Sequence, residues 1–269
     1  YEIPKRDWSS DVCSSDLLIR RYKPFLIIFF SVGNFELNNL YNESCLETMA
    51  RMPDKSIDLC LTDYPYGIGE SYDEFEDTKE NLKQLIETTM PEILRVSKRA
   101  LITVGIKNLM LFPQPEWIMC WAVKRTNAMC SWGFATWHPI LCYGKDPYLA
   151  NGLGSQMDYF EHSEIAEKNG HPCPKPITLW RKVLLRGSVK QTDIIYDPFM
   201  GSGTTAIACK KENRNWIGSE ISEHYCQIAK EKIRLYDAQP SLFYLGEEKK
   251  IIKKDNQITM FNTENGNGI

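Results

Sequence analysis

Two short stretches carry residue types that could do chemistry. The first is Asp63-Tyr64-Pro65-Tyr66, which follows the apolar run "IDLCLT" beginning at Ile57. A carboxylate delivered at the exit of a buried strand can accept N–H groups, and the rings beside it offer flat faces for stacking. The second is "DPFMGSGTT", Asp197 to Thr205. Gly201 and Gly203 let the backbone approach a ligand closely, and the N–H groups around Ser202, Thr204 and Thr205 at a helix start can hold a carboxylate or phosphate. Glu220 ends the next strand, 19 positions after Gly201. Dinucleotide folds place the acid that grips ribose hydroxyls at about 20 residues on. A Gly-Lys-Ser/Thr sequence is missing, which excludes a phosphate-binding P-loop, and the missing third glycine argues against a nicotinamide cofactor. The set points to an adenosine-containing cofactor. Taken singly, the glycine pair reads as a structural tight turn and "DYPY" as a strand-end turn.

The elements that must position these residues alternate. From Phe35 onward the chain reads as a short strand, a helix from Ser44, the buried strand ending at Asp63, and a helix with Leu82, Leu85, Ile86 and Met90 on one face. Pro91 is expected to break or kink that helix. "ALITVG", "EWIMCWAV" and "HPILCYG" read as further strands. Residues 124–171 are rich in Gly, Asn, Ser and aromatics with weak periodicity, and read as an irregular insertion. "KPITLWRKVLLRG" is an amphipathic helix with Ile177, Trp180 and Leu184 inward. A strand, the Gly-rich turn, a helix, the strand ending at Glu220 and a last helix follow. Strand, Gly-rich turn, helix, strand, acid is half of a doubly wound α/β sheet.

The chain of 269 residues, 43% apolar and 25% charged, has ordinary globular composition and room for a large core. Its net charge of −3 gives no global basic footprint, so any nucleic-acid surface must be local. Nine cysteines without a repeated C-x-x-C spacing read as reduced thiols of a cytoplasmic protein rather than a disulfide framework. Cys120, Cys130, His138 and Cys142 fit no compact tetrahedral metal site, and no metal is expected. "DWSSDVCSSDL" (Asp7 to Leu17) resembles the translation of a short-read sequencing adapter, so residues 1–17 are read as an assembly scar and set aside. Within residues 18–34, a leader of open status, "KPFLIIFFSVG" is too short to span a membrane.

Taken together, "TDYPYG", "HPCPKP", "DPFMGSGTT" and "NWIGSEISEHYCQIAKEKI" resemble the amino-group DNA methyltransferases that use S-adenosylmethionine. The catalytic motif precedes the cofactor motif with a variable region between them, which resembles the β-class order. The resemblance runs from Asn39 to Leu235. It implies a Rossmann-like methyltransferase sheet over residues 35–245, a target-recognition insertion at 124–171, and a bacterial or phage protein of the cytoplasm acting on double-stranded DNA. The family tetrapeptide is Asp-Pro-Pro-Tyr/Phe/Trp in most adenine-N6 enzymes and Ser-Pro-Pro-Tyr in many cytosine-N4 enzymes. By resemblance, Asp63 accepts one N–H of the exocyclic amine, the carbonyl at Tyr64 accepts the other, and Tyr66 stacks on a base swung out of the duplex. Tyr64 stands where the family has its first proline, so the fixed φ of proline is lost there while Pro65 keeps Tyr64 extended. A degenerate DNA-binding homologue is the reading that this departure leaves open.

The resemblance further places His171 and Lys175 near the methionine end of the cofactor, Asp197 and Phe199 against it, and Cys173 as a spacer. His224 and Tyr225 read as packing. Lys124 and Arg125 are expected to contact phosphates. Trp132, Phe134 or Trp137 would line the base pocket, with a core role as the alternative for each. The polar tail at 246–269 is expected to be flexible. Within it, Gln257 to Phe261 ("QITMF") resembles the peptides that dock bacterial sliding clamps. The expected activity is adenine-N6 DNA methylation, with cytosine-N4 as the alternative; Asp63 in place of serine favours adenine.

Overall fold

The computed structural model describes residues 31–32, 35–123, 129–162 and 175–238. Residues 1–17, most of 18–34, Lys124, Arg125, His171, Cys173 and the Gln257–Phe261 peptide lie outside them.

Strands β1 (Ser31–Val32) and β2 (Phe35–Glu36) form a small antiparallel pair. Next come β3 (Asn39–Tyr41), helix α1 (Cys45–Ala50), β4 (Leu59–Asp63), α2 (Lys79–Val96), β5 (Arg99–Thr103) and β6 (Trp117–Ala122). A two-stranded hairpin, β7 (Met129–Cys130) and β8 (Gly133–Phe134), precedes β9 (Trp137–Gly144), α3 (Pro147–Ala150) and β10 (Tyr159–Glu161). The remainder is α4 (Ile177–Gly187), β11 (Ile194–Asp197), α5 (Thr204–Lys211), β12 (Asn215–Ser219) and α6 (Glu223–Ala238).

Eight strands build the main sheet in the order β10-β6-β9-β5-β4-β11-β12-β3. β9 runs antiparallel to both its neighbours, and the other pairings are parallel. This is the doubly wound α/β sheet expected from the alternation. The stretch read as an irregular insertion supplies β9 and β10 to that sheet.

The parallel strands are buried on both faces, so their residues alternate between two apolar layers. Cys60, Ala100 and Ile102 pack with Met49 of α1 and with Leu82, Ile86, Met90 and Ile93 of α2. Leu59, Leu61, Leu101 and Ile195 pack on the other side with Leu179, Trp180, Val183 and Leu184 of α4, and with α5 and α6. Local signals set the helix starts. Ser44 and Glu47 form a reciprocal capping box on α1, and the Thr78 side chain accepts from the Asn81 N–H at 3.1 Å to open α2. Pro91 does not end α2, which runs through it to Val96. The apolar residues beyond it, Ile93 and Val96, are fully buried, and their packing outweighs the one backbone bond that proline removes.

The chain leaves β4 towards β5 on one side and leaves β11 towards β12 on the other. The carboxyl ends of β4 and β11 therefore meet at a topological switch point, where open α/β sheets bind their ligands. Asp63 and Asp197 end those two strands. The reversed β9 matters as well: Thr103 at the end of β5 pairs with Ile140, so Trp137 and His138 at the start of β9 lie at the sheet edge where β4 and β5 end. No helix among the described residues is long and apolar enough to cross a membrane.

The turn that closes β9 depends on Gly144. Its φ is +79°, and a Cβ there would stand 2.4 Å from the Lys98 carbonyl oxygen. Gly144→Ala is expected to cost at least about 1 kcal/mol and to lower the melting temperature by about 2–4 °C. A melt unchanged from wild type would show that this turn does not constrain the sheet.

Candidate active site

The Gly-rich loop turns sharply after β11. Gly203 caps α5 at φ +82°, and a Cβ on it would press within 3.1 Å of Ala229 in α6. Glycine is required there both for the backbone sign and for the approach of α6. Glu220 does more than the spacing suggests. Its carboxylate accepts from the Gly201 N–H at 2.8 Å and from the Ser222 N–H at 2.9 Å, which ties the Gly-rich loop to the end of β12. Burial raises its pKa above the usual carboxylate range, and those N–H donors act in the opposite sense.

Asp197 is a buried knot. Its Oδ1 accepts from the Thr62 hydroxyl at 2.7 Å and from the Phe199 N–H at 3.1 Å, and its Oδ2 accepts from the Thr205 hydroxyl. The Thr205 hydroxyl in turn accepts the Trp180 indole N–H at 2.8 Å. Burial pushes the Asp197 carboxyl up to about 6, although these donors favour its charged form.

Asp63 stands at the mouth of the cleft. Its Oδ1 accepts from the Thr103 hydroxyl and from the Tyr66 hydroxyl at 3.2 Å, and its Oδ2 accepts from the Lys175 ammonium. Lys175 Nζ also lies 5.1 Å over the Tyr66 ring. Burial works against the charged ammonium, but the Asp63 carboxylate outweighs it and raises the Lys175 pKa above that of an ordinary lysine. Burial, with the Asp63 charge beside it, raises the Tyr66 phenol as well, so Tyr66 serves as a neutral donor and a ring. Lys175, expected at the methionine end of a cofactor, is thus held on the Asp63 carboxylate while still lining the same cleft.

Tyr64 is wholly buried. Its hydroxyl lies 2.7 Å from Thr89 of α2, and its ring makes edge contacts with Phe112 at 5.1 Å and with Phe199 at 4.8 Å. A proline fixes this loop through its own φ; here a side chain wedged into the core fixes it through packing. The loop backbone is held from outside as well, because the buried Asn108 amide donates to the Tyr66 carbonyl at 2.6 Å.

One cleft is lined by Asp63, Pro65, Lys175, Asp197, Phe199, Gly201, Ser202, Thr204, Thr205 and Glu220, so these candidates converge. Several lining residues were not legible in advance. Tyr72, Asp73 and Phe75 come from the loop after Gly67, a polar stretch without periodicity. That loop is organised by the buried Asp77, whose carboxylate accepts from the N–H groups of Gly67, Ile68 and Glu70 at 2.7–3.1 Å. It is latched across the cleft by the Ser222 hydroxyl, which donates to Asp73 at 3.0 Å. Tyr225, read as packing, is buried and lines the cleft; His224 is exposed.

The aromatics between β6 and β9 divide. Trp132 is 98% exposed and Phe134 63% exposed on the β7–β8 hairpin, so neither is core. Trp137 is half-buried at the start of β9, on the strand face opposite His138.

Residues 116–231 match a family model described as "DNA methylase". The Type II methyltransferase M.HpaI of Haemophilus parainfluenzae is 27% identical over 71% of this chain and 72% of its own length. The DNA adenine methyltransferase YhdJ of Escherichia coli is 26% identical over 82% of this chain and 89% of its own. Among solved structures, the cytosine-N4-specific PvuII DNA methyltransferase aligns over 71% of this chain and 84% of its own, with 15% identity and a TM-score of 0.56. The M1.HpyAVI structure with its bound SAM aligns over 72% and 98%, with 20% identity and a TM-score of 0.53. These two likenesses concern the fold.

The packing of Tyr64 sets an expectation opposite to what the family pattern suggests. Tyr64→Pro supplies the missing proline but empties a ring-sized space between Phe112, Phe199 and α2, at a cost of roughly 3–5 kcal/mol. Tyr64→Phe keeps the ring and gives up the Thr89 contact, at about 1 kcal/mol. Urea unfolding of the two variants measures both, and a proline variant as stable as wild type would overturn the packing account.

Proposed function

We propose that this chain is an amino-group DNA methyltransferase and that the amine it methylates is N6 of adenine in double-stranded DNA. The observation that carries this is the placing of Asp63. Its carboxylate lines the Gly-rich cleft and accepts from the Tyr66 hydroxyl at 3.2 Å, which supports a role between a methyl donor in that cleft and a base against Tyr66.

The cleft suits S-adenosylmethionine on its own features. Gly201 lines the cleft without a side chain, the first turn of α5 presents N–H groups, and Phe199 and Tyr225 give apolar walls. Glu220 and Ser222 would hold the ribose end, and Lys175 and Pro65 would border the methionine end. The bound cofactor supplies a methyl group on a positively charged sulfur.

The protein's own residues prepare the amine. An exocyclic amine is a poor nucleophile because its lone pair is delocalised into the ring. Asp63 accepts one of its N–H groups and the Tyr64 carbonyl accepts the other, which frees the lone pair for attack. The proton surplus after transfer passes to the Asp63 carboxylate. In the structure that carboxylate is already occupied by Thr103, Tyr66 and Lys175, so the amine enters by taking the place of one donor. Until then Lys175 holds the carboxylate in a direct ion pair. Asp63 in place of serine at the head of the tetrapeptide favours adenine, in keeping with the similarity to the DNA adenine methyltransferase of Escherichia coli.

The deciding experiment incubates the protein with unmethylated duplex DNA and S-adenosylmethionine, digests the product to nucleosides and weighs them by mass spectrometry. N6-methyladenine is expected, and Asp63→Asn should lower its formation by roughly 10²–10⁴-fold without loss of fold. N4-methylcytosine would keep the reaction class and overturn the base. Unmodified DNA, with cofactor shown to bind, would overturn the methyltransferase reading itself.

A further inference from the structure

His138 lies outside all the motifs, yet it stands beside the reacting group. It opens β9 at the catalytic edge, on the strand face that carries Ile140 towards α4. Its ring centroid is 6.2 Å from that of Tyr66, with the planes inclined by 35°. Behind it, Trp121 of β6, its direct cross-strand partner, packs at 4.5 Å and 31°. Behind Tyr66 lies Gly105, where a Cβ would come within 3.2 Å of the Tyr66 Cβ and Cγ. The two rings therefore neighbour each other across a gap at the sheet edge, mutually inclined, and Lys175 Nζ lies 5.1 Å over the Tyr66 ring.

The width of that gap is informative. A planar base held between two parallel rings needs about 7 Å between their centroids, twice the contact separation of carbon atoms. The Tyr66–His138 pair at 6.2 Å lies just short of this. Closing the tilt and opening by about 0.8 Å would admit one base. The alternative partners for His138 are few. Neither ring nitrogen hydrogen-bonds to another described residue by the contacts observed, and the ring is only half-buried. Burial, with the Lys175 charge nearby, lowers its pKa, so the ring is neutral at physiological pH and adds no charge to the slot.

We infer that His138 is the second wall of the target-base pocket, so that the extruded base is held between the rings of Tyr66 and His138 with its amine towards Asp63. This rests on the methyltransferase reading and adds a base-contacting residue to it. Trp121 then acts as a positioning residue that holds the imidazole upright. The ligand class is a single unpaired purine or pyrimidine ring, and the contact is stacking, which tolerates either base and leaves the choice to the edge contacts.

The test uses stacking itself as the readout, so that it does not depend on turnover. A single-stranded oligonucleotide carrying one 2-aminopurine is titrated into the protein with S-adenosylhomocysteine present, and quenching of the probe reports a base between rings. Wild type should quench. His138→Leu should weaken the affinity by about 10-fold, within the range of base–aromatic stacking, while His138→Phe should restore it to within about threefold. A merely structural role would not separate leucine from phenylalanine in this way. Melting curves check each fold, and His138→Gln serves in place of the leucine variant should that one melt early. Equal quenching by wild type and the non-aromatic variants, or none by wild type, overturns the inference. Quenching by a protein that forms no methylated nucleoside when given S-adenosylmethionine and unmethylated DNA in a separate assay would instead overturn the methyltransferase reading and leave the pocket standing.

Discussion

The Asp197 carboxylate is the contact on which the other parts of the site rest. It ends β11 at the switch point and gathers donors from three directions: Thr62 of the neighbouring β4, Thr205 of α5 and the Phe199 N–H of its own loop. Through Thr62 it fixes the residue next to Asp63. Through Thr205 it reaches Trp180, and with it the helix whose preceding residues include Lys175. Lys175 returns to Asp63, so the circuit closes on itself. A buried carboxylate without such donors would carry a large desolvation cost, and the raised pKa of Asp197 shows that three donors offset that cost only in part.

A second constraint concerns how the catalytic loop is kept still. Rigidity can come from a restricted dihedral, which acts in the unfolded chain as well, or from tertiary contacts, which act only once the core has formed. At Tyr64 the protein uses the second route, through Thr89, Phe112 and Phe199. Since Phe199 also lines the cleft, the loop after β4 and the Gly-rich loop share a packing contact. Asn108 and Asp77 extend the same principle along the loop: each is buried, and each spends its side chain on backbone groups between Tyr66 and Glu70.

The sheet and the Gly-rich turn were legible because they rest on local signals. Unbroken apolar runs mark strands buried on both faces, and a glycine pair before a helix start marks a tight turn whatever the tertiary context. Asp63, Gly201, Gly203 and Glu220 were singled out in this way. Asn108, Asp77 and His138 were not, since each acts on a partner many positions away and nothing in its own neighbourhood departs from ordinary loop or strand composition. Lys175 was found only as part of a motif, and its partner Asp63 lies 112 positions before it. The continuity of α2 through Pro91 is a further case, in which burial of the following turn overrides a strong local rule.

The reversal of β9 has a consequence for how the molecule can vary. β6 and β9 form an antiparallel pair whose open end, between Ala122 and Trp137, points to the catalytic edge. A parallel connection at this place would have to cross the sheet and return through a helix, and its length would be fixed by that path. A hairpin connection has no such tether. The entropy of closing it rises only as the logarithm of its length, about 0.6 kcal/mol for each doubling. Residues can therefore be added or removed there, beside His138 and Tyr66, with little strain on the sheet that holds Asp63 in place.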